Sequence, residues 1–105
     1  MIKAIVYKSK TGHTLEYAKM LSKKLNVPIY DLKKAKVNKE DEIIYMGYIM
    51  ASNISGFSKA KKKFNVKYVI AVGAYPKQEE YIHSLKNINK VGVPLFYLRG
   101  RNRLY

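Results

Sequence analysis

The sequence predicts an α/β fold built on a doubly wound parallel sheet. Two observations carry that expectation. Apolar, strand-like runs alternate with segments of helical periodicity along the chain, and the apolar runs are nearly continuous instead of strictly alternating with polar residues. Strands that alternate with helices imply parallel pairing through right-handed crossovers, and continuous apolar strands imply that helices cover both sheet faces. At 105 residues, 48% of them hydrophobic, the chain has the length of one domain with one modest core. No repeat, linker or low-complexity segment divides it.

The first element, IKAIVY (Ile2 to Tyr7), is a compact run rich in β-formers. TLEYAKMLSKKL (Thr14 to Leu25) follows, with Leu15, Ala18, Leu21 and Leu25 at helical spacing so that one stripe is buried. Asn26 is a helix stop, and Pro28 lies within the short extended piece VPIYDL, the second strand, before the polar connection KKAKVNKEDE. IIYMGYIM (Ile43 to Met50) is apolar throughout, as a central strand buried on both faces should be, and ASNISG after it is loop chemistry. SKAKKKF (Ser58 to Phe64) reads as a short helix and VKYVIAVGAY (Val66 to Tyr75) as the fourth strand. PKQEEYIHSLKNI (Pro76 to Ile88) is a helix with Tyr81, Ile82, Leu85 and Ile88 inward, and VPLFYLRG (Val93 to Gly100) is the fifth strand.

Composition removes several classes of function. Without cysteine there is no disulfide framework, thiolate metal site or cysteine nucleophile, which fits a reducing compartment. Nothing near the N-terminus reads as a signal peptide, and no apolar run approaches the roughly 18 residues of a membrane span. The expected location is the cytoplasm, in solution or peripheral to a membrane. Two histidines do not make a dedicated metal site, and the seven acidic residues form no paired-carboxylate or hydrolytic arrangement. With 21 Lys and Arg the formal charge is +14, a field that attracts anions. The run KAKKK (Lys59 to Lys63) is equally well read as a solvated helix edge. The ten tyrosines are spread along the chain and form no stacking platform, so nucleic acid is not an expected partner.

The first turn concentrates chemistry. In open α/β sheets ligands bind outside the carboxyl ends of the strands, where the strand order reverses, and SKTGHT falls there: Ser9, Lys10, Thr11, Gly12, His13 and Thr14. The following helix directs backbone N–H groups and its dipole at this turn, the three hydroxyls can donate to phosphate oxygens, and Gly12 admits close backbone approach. The same residues also suit a plain helix start, with Thr11 or Thr14 as cap and Gly12 making a tight turn. His13 and Lys10 lie where they could neutralise a phosphate or simply face solvent.

SKTGHT resembles the flavodoxin phosphate loop, in which Ser or Thr, any residue, Thr, Gly, any residue and Thr follow the first strand. DEIIYMG is similar to that family's third strand entering its flavin loop, and VIAVGAYP to its fourth strand ending in the second flavin loop. The resemblance spans essentially the whole chain and is strongest to short flavodoxin-domain proteins of the menaquinone-dependent protoporphyrinogen oxidase kind. It implies a flavodoxin-like five-stranded sheet of order 2-1-3-4-5 and bound FMN. The phosphate would sit on Ser9 to Thr14, and the ring between the loop Gly47 to Gly56 and the loop Ala74 to Pro76. Tyr48, Met50, Ala51, Ser52 and Asn53 on the first side, and Ala74, Tyr75 and Pro76 on the second, are then the ring contacts. Tyr48 and Tyr75 are the only aromatics near the ring, and Tyr48 also suits an ordinary strand position.

The flavin would carry the electrons, and the basic surroundings would favour its reduced anion more than the acidic surface usual in the family. No residue of the chain itself is expected to be catalytic. The implied function is electron transfer or a flavin-dependent oxidoreductase step, with a redox partner of acidic surface or a membrane quinone pool. The alternative is a flavodoxin-like domain without flavin that acts as a basic binding module. Where the family has a helix after the fifth strand, this sequence has only RGRNRLY. An apolar face near Leu95, Tyr97 and the inner side of the first helix is therefore expected to be bare, covered by a homodimer partner or by a longer form of the chain.

Overall fold

A computed structural model of the protein describes residues 1–100. In chain order it contains β1 (Ile2–Lys8), α1 (His13–Leu25), β2 (Ile29–Asp31), a 3-10 turn at Leu32–Lys34, β3 (Glu42–Met50), β4 (Asn53–Ile54), α2 (Phe57–Lys63), β5 (Asn65–Gly73), α3 (Glu79–Ile88) and β6 (Leu95–Arg99). The five long-range strand partners run parallel in the order β2-β1-β3-β5-β6, with β3 central. The two-residue β4 turns back antiparallel on the end of β3. This is the doubly wound α/β architecture expected, with the strand order of a flavodoxin-like sheet.

Strand parity divides the core in two. Ala4 and Val6 of β1, Ile43 and Tyr45 of β3, and Val69 and Ala71 of β5 point to one side, where they meet Phe57 and Ala60 of α2 and Leu85 of α3. The connection from β2 to β3 also lies on that side, through Leu32, Ala35 and Val37. Ile5, Ile44 and Met46 point to the other side and pack on Ala18 of α1. Only α1 covers this second face among the described residues.

Two expected inward positions are not inward. Leu25 is 44% exposed, because the chain reverses at Asn26, left-handed at φ 55°, and Val27 joins the cluster instead. Ile88, in the last turn of α3, is 52% exposed, while Leu85 is fully buried and Tyr81 and Ile82 pack against the core. His83 of α3 is exposed.

The bare apolar surface lies on the α1 side of β5 and β6, and its residues differ from those expected. Side chains alternate along a strand, so Leu95 and Tyr97 face the α3 layer. Phe96 is left 53% exposed beside Tyr68, 40% exposed, with ring centroids 6.3 Å apart. The inner side of α1 is closed: Tyr17 and Leu21 pack with Ile70 and Leu98, and the Tyr17 hydroxyl donates to the Arg99 carbonyl at 2.6 Å. The basic segment Arg101 to Tyr105, expected in place of a final helix, lies outside the described residues.

Two helices start from glycines in the left-handed region, Gly12 before α1 at φ 98° and Gly56 before α2 at φ 80°. Around Gly12 there is open space, whereas a Cβ on Gly56 would collide with the Tyr45 hydroxyl and lie 2.8 Å from Leu32 Cδ2. Gly12→Ala should therefore cost only the backbone term, about 1–2 kcal/mol. Gly56→Ala adds overpacking of about 1–3 kcal/mol. Chemical denaturation of the two variants should show Gly56→Ala to be clearly the more damaging; equal losses would contradict the packing around Tyr45.

Candidate functional site

The loop after β1 is shaped by its own serine. Ser9 Oγ accepts from the backbone N–H of Gly12 at 3.1 Å and, more weakly, from that of Leu15 at 3.4 Å. The first N–H groups of any α-helix lack partners within the helix. Ser9 takes the one from Leu15, and the N–H groups of His13 and Thr14 are left at the mouth of the loop. No side chain caps α1, so the threonines do not serve as helix caps. Thr14 is buried, at 1% exposure, and Thr11 is exposed.

A shallow groove of about 230 Å³ lies above this helix start. Lys10, Thr11, His13 and Thr14 line it from the loop, and Tyr48, Ile49 and Met50 line it from the end of β3. The far wall is Gly73 and Ala74 after β5 together with Gly100 after β6. The N–H of Gly100 donates to the Gly73 carbonyl at 2.6 Å, which fixes that wall. The groove therefore opens between β1 and β3, at the reversal of strand order.

The segment after β3 is a hairpin, not an open loop. Met50 pairs with Asn53 and Ile49 with Ile54 around Ala51 and Ser52, which have φ of 50° and 66°. Two successive left-handed residues make a type I′ turn, whose twist suits a two-residue hairpin. Asn89, just past α3, locks it in place. Its Oδ1 accepts from the Ile54 N–H at 2.8 Å, and its Nδ2 donates to the carbonyls of Ser52 and Leu85, both at 2.9 Å. Below the hairpin the Tyr45 hydroxyl donates to the Ser55 carbonyl at 2.6 Å, and the Tyr45 ring lies 6.4 Å from that of Phe57. Burial, and secondarily the neighbouring Tyr48 and Asp31, pushes the Tyr45 phenol well above its ordinary range.

The structure thus gathers Lys10, Thr11, His13, Thr14, Tyr48, Met50 and Ala74 around one groove. Ser9 stands behind the loop, and Asn53 faces a different cleft on the α2 side. Ala51 is at the hairpin tip and the Ser52 carbonyl is held by Asn89. Tyr75 and Pro76 are exposed and do not line the groove. The Tyr75 ring is edge-on to Tyr81, which is edge-on to Tyr97, with centroids 5.6 Å apart in both pairs. The Tyr97 hydroxyl donates to the Tyr75 carbonyl at 2.6 Å. Burial raises the phenol pKa of both Tyr81 and Tyr97.

No protein-family model matches the chain, and no curated protein does either.

Asn89 and the tyrosine ladder leave no mark in the sequence, since single polar or aromatic residues near helix ends carry no local signal of a long-range contact. The hairpin was also hidden: Ala-Ser is an uncommon pair for a type I′ turn, where Asn-Gly or Asp-Gly is the usual signature.

Asn89→Ala should unpair the Ile54 N–H and the Ser52 carbonyl, whereas the Leu85 carbonyl keeps its bond from the backbone N–H of position 89. A loss of about 1–3 kcal/mol is expected, together with faster hydrogen exchange at the Ile54 amide; unchanged exchange there would contradict the anchor. Tyr45 yields a pH dependence. Its folded pKa lies above the unfolded value of about 10, so its contribution is complete below that pH and is lost as pH rises beyond it. Denaturation midpoints should fall above about pH 10. Tyr45→Phe should flatten part of that fall while costing about 0.5–1.5 kcal/mol at neutral pH for the lost hydrogen bond.

Proposed function

We propose that the chain binds FMN in the groove between β1 and β3 and works as a redox flavoprotein that exchanges electrons with a partner of acidic surface. One observation carries this reading: a loop resembling the flavodoxin phosphate loop stands at the start of α1, directly at the strand-order reversal of a 2-1-3-4-5 sheet. The chemistry of the donor set fits a phosphate. The free N–H groups of His13 and Thr14, the positive end of a 13-residue helix, the exposed Thr11 hydroxyl and the Lys10 ammonium converge on one place. Gly12 leaves open space where a side chain would stand.

For the ring end, Tyr48 and Met50 offer one apolar wall and Gly73 and Ala74 the other. A volume of about 230 Å³ is below the range of roughly 300–1,000 Å³ usual for enclosed ligands, so the groove holds part of a flavin and leaves an edge in solvent. An exposed edge suits exchange of electrons with a docked protein. Bound FMN would supply the redox chemistry; the chain supplies phosphate capture, orientation and a basic surround. Carboxylates are scarce, seven against 21 Lys and Arg, so attraction to an acidic partner is opposed by few like charges.

Fluorescence titration tests the phosphate placement. Thr11→Ala should weaken FMN about ten- to a hundredfold through loss of a charge-assisted hydrogen bond, and change riboflavin affinity little. Equal losses for FMN and riboflavin, or no binding of FMN by the unaltered protein, would overturn the reading.

A further inference from the structure

Among the described residues there is a cavity larger than the groove at the start of α1. It lies on the opposite side of the sheet, has a volume of about 830 Å³, and is bounded by the ends of β1 and β2, the hairpin, α2 and the segment after α3. Its size is that of a small-molecule site. Five lysines line it, and they come from four separate parts of the chain: Lys8 from β1, Lys33 from the 3-10 turn, Lys59 and Lys62 from one face of α2, and Lys90 from beyond α3. A solvated helix edge would place its charges on one element; here they surround a concavity. Among the described residues none of the five is paired with a carboxylate, for the ion pairs formed are those of Glu42 with the N-terminus and with Lys67. The single acid in the cleft, Asp31, is already engaged by the Lys33 N–H at 2.9 Å.

Lys90 adds an independent point. Its backbone is left-handed at φ 54°, at the end of a helix, a place where glycine is the cheap choice. A lysine there carries a backbone cost and brings charge to the rim of the cleft. The floor names the kind of anion. Phe57 is buried, Ile88 is the one exposed large apolar side chain, and no exposed aromatic ring lines the cleft to stack on a base. Ser55, Ser58 and Asn53 supply further polar atoms.

We infer that this cleft binds an oligophosphate chain, recognised by its charge and length and not by an attached base. The site is separate from the FMN groove and does not depend on it. Its ligand is either inorganic oligophosphate or the phosphate chain of a nucleotide.

Isothermal titration of the full chain with tripolyphosphate, ATP and adenosine tests this, with tripolyphosphate as the reference probe. Saturable tripolyphosphate binding is expected, with no binding of adenosine. ATP binding at least tenfold tighter than tripolyphosphate would assign the nucleotide as source; equal or weaker binding would assign the inorganic chain. Lys59→Ala with Lys62→Ala should weaken tripolyphosphate about tenfold or more, whereas Lys19→Ala with Lys23→Ala, which removes the same charge from α1, should not. Lys90→Gly is the sharpest variant: it should raise the melting temperature by relieving the left-handed lysine and yet weaken binding. The inference is overturned if tripolyphosphate does not bind saturably or if the α1 pair weakens it as much as the α2 pair. It is equally overturned if Lys90→Gly binds undiminished, or if only duplex DNA binds.

Discussion

The constraint that organises this molecule is the reversal of strand order at β1. That strand pairs with β2 on one side and with β3 on the other, so the chain must cross first over one face of the sheet and then over the opposite face. The crossovers diverge from a common edge and leave a crevice at the carboxyl ends of β1 and β3. The groove, the cleft and two helix starts sit around that edge. Gly12 starts α1 on one side of it, Gly56 starts α2 on the other, and Ser9 stands between the groove and the cleft. Tyr45 ties the arrangement to the core, because its buried ring supports Phe57 and its hydroxyl holds the Ser55 carbonyl immediately before Gly56.

Charge gives the two concavities different characters. The groove over α1 relies on the helix terminus, one lysine and a hydroxyl, and its walls from β3 and β5 are largely apolar; that combination suits a ligand with one anionic end and one flat, apolar end. The cleft over α2 is ringed by five lysines and presents no exposed aromatic ring, which suits an anion recognised by its charge. One sheet edge thus presents two anion-attracting surfaces on opposite faces, with a +14 chain behind both. No helix of the described residues is long and apolar enough to cross a membrane.

The fold was legible because it rests on long, periodic features. Runs such as IIYMGYIM and VIAVG are satisfied as largely buried sheet strands, and the helices between them favour parallel pairing. Detail was lost where a single residue's parity or a turn's backbone decides the outcome. Phe96, not Tyr97, faces the uncovered side, since a one-residue error in a strand inverts every side chain. Leu25 and Ile88 match helical spacing but belong to last turns that overrun the core. Of the site, the turn at Gly12 could be read directly from its residue types. The five-lysine cleft could not, for Lys8, Lys33, Lys59, Lys62 and Lys90 are brought together only by tertiary structure, and in the sequence each looks like ordinary surface charge.

Whether the groove at the strand-order reversal holds a flavin, as proposed, is decided by direct binding. The most direct measurement is a titration of the isotopically labelled protein with FMN, followed by amide resonances in two-dimensional NMR. Saturating shifts centred on Gly12, His13, Thr14 and Leu15 are expected, extending to Tyr48, Met50 and Ala74, with little change at Lys59 and Lys62. Absence of saturable shifts, or shifts confined to the α2 side around Ser55 to Lys62, would contradict a flavin site in the groove.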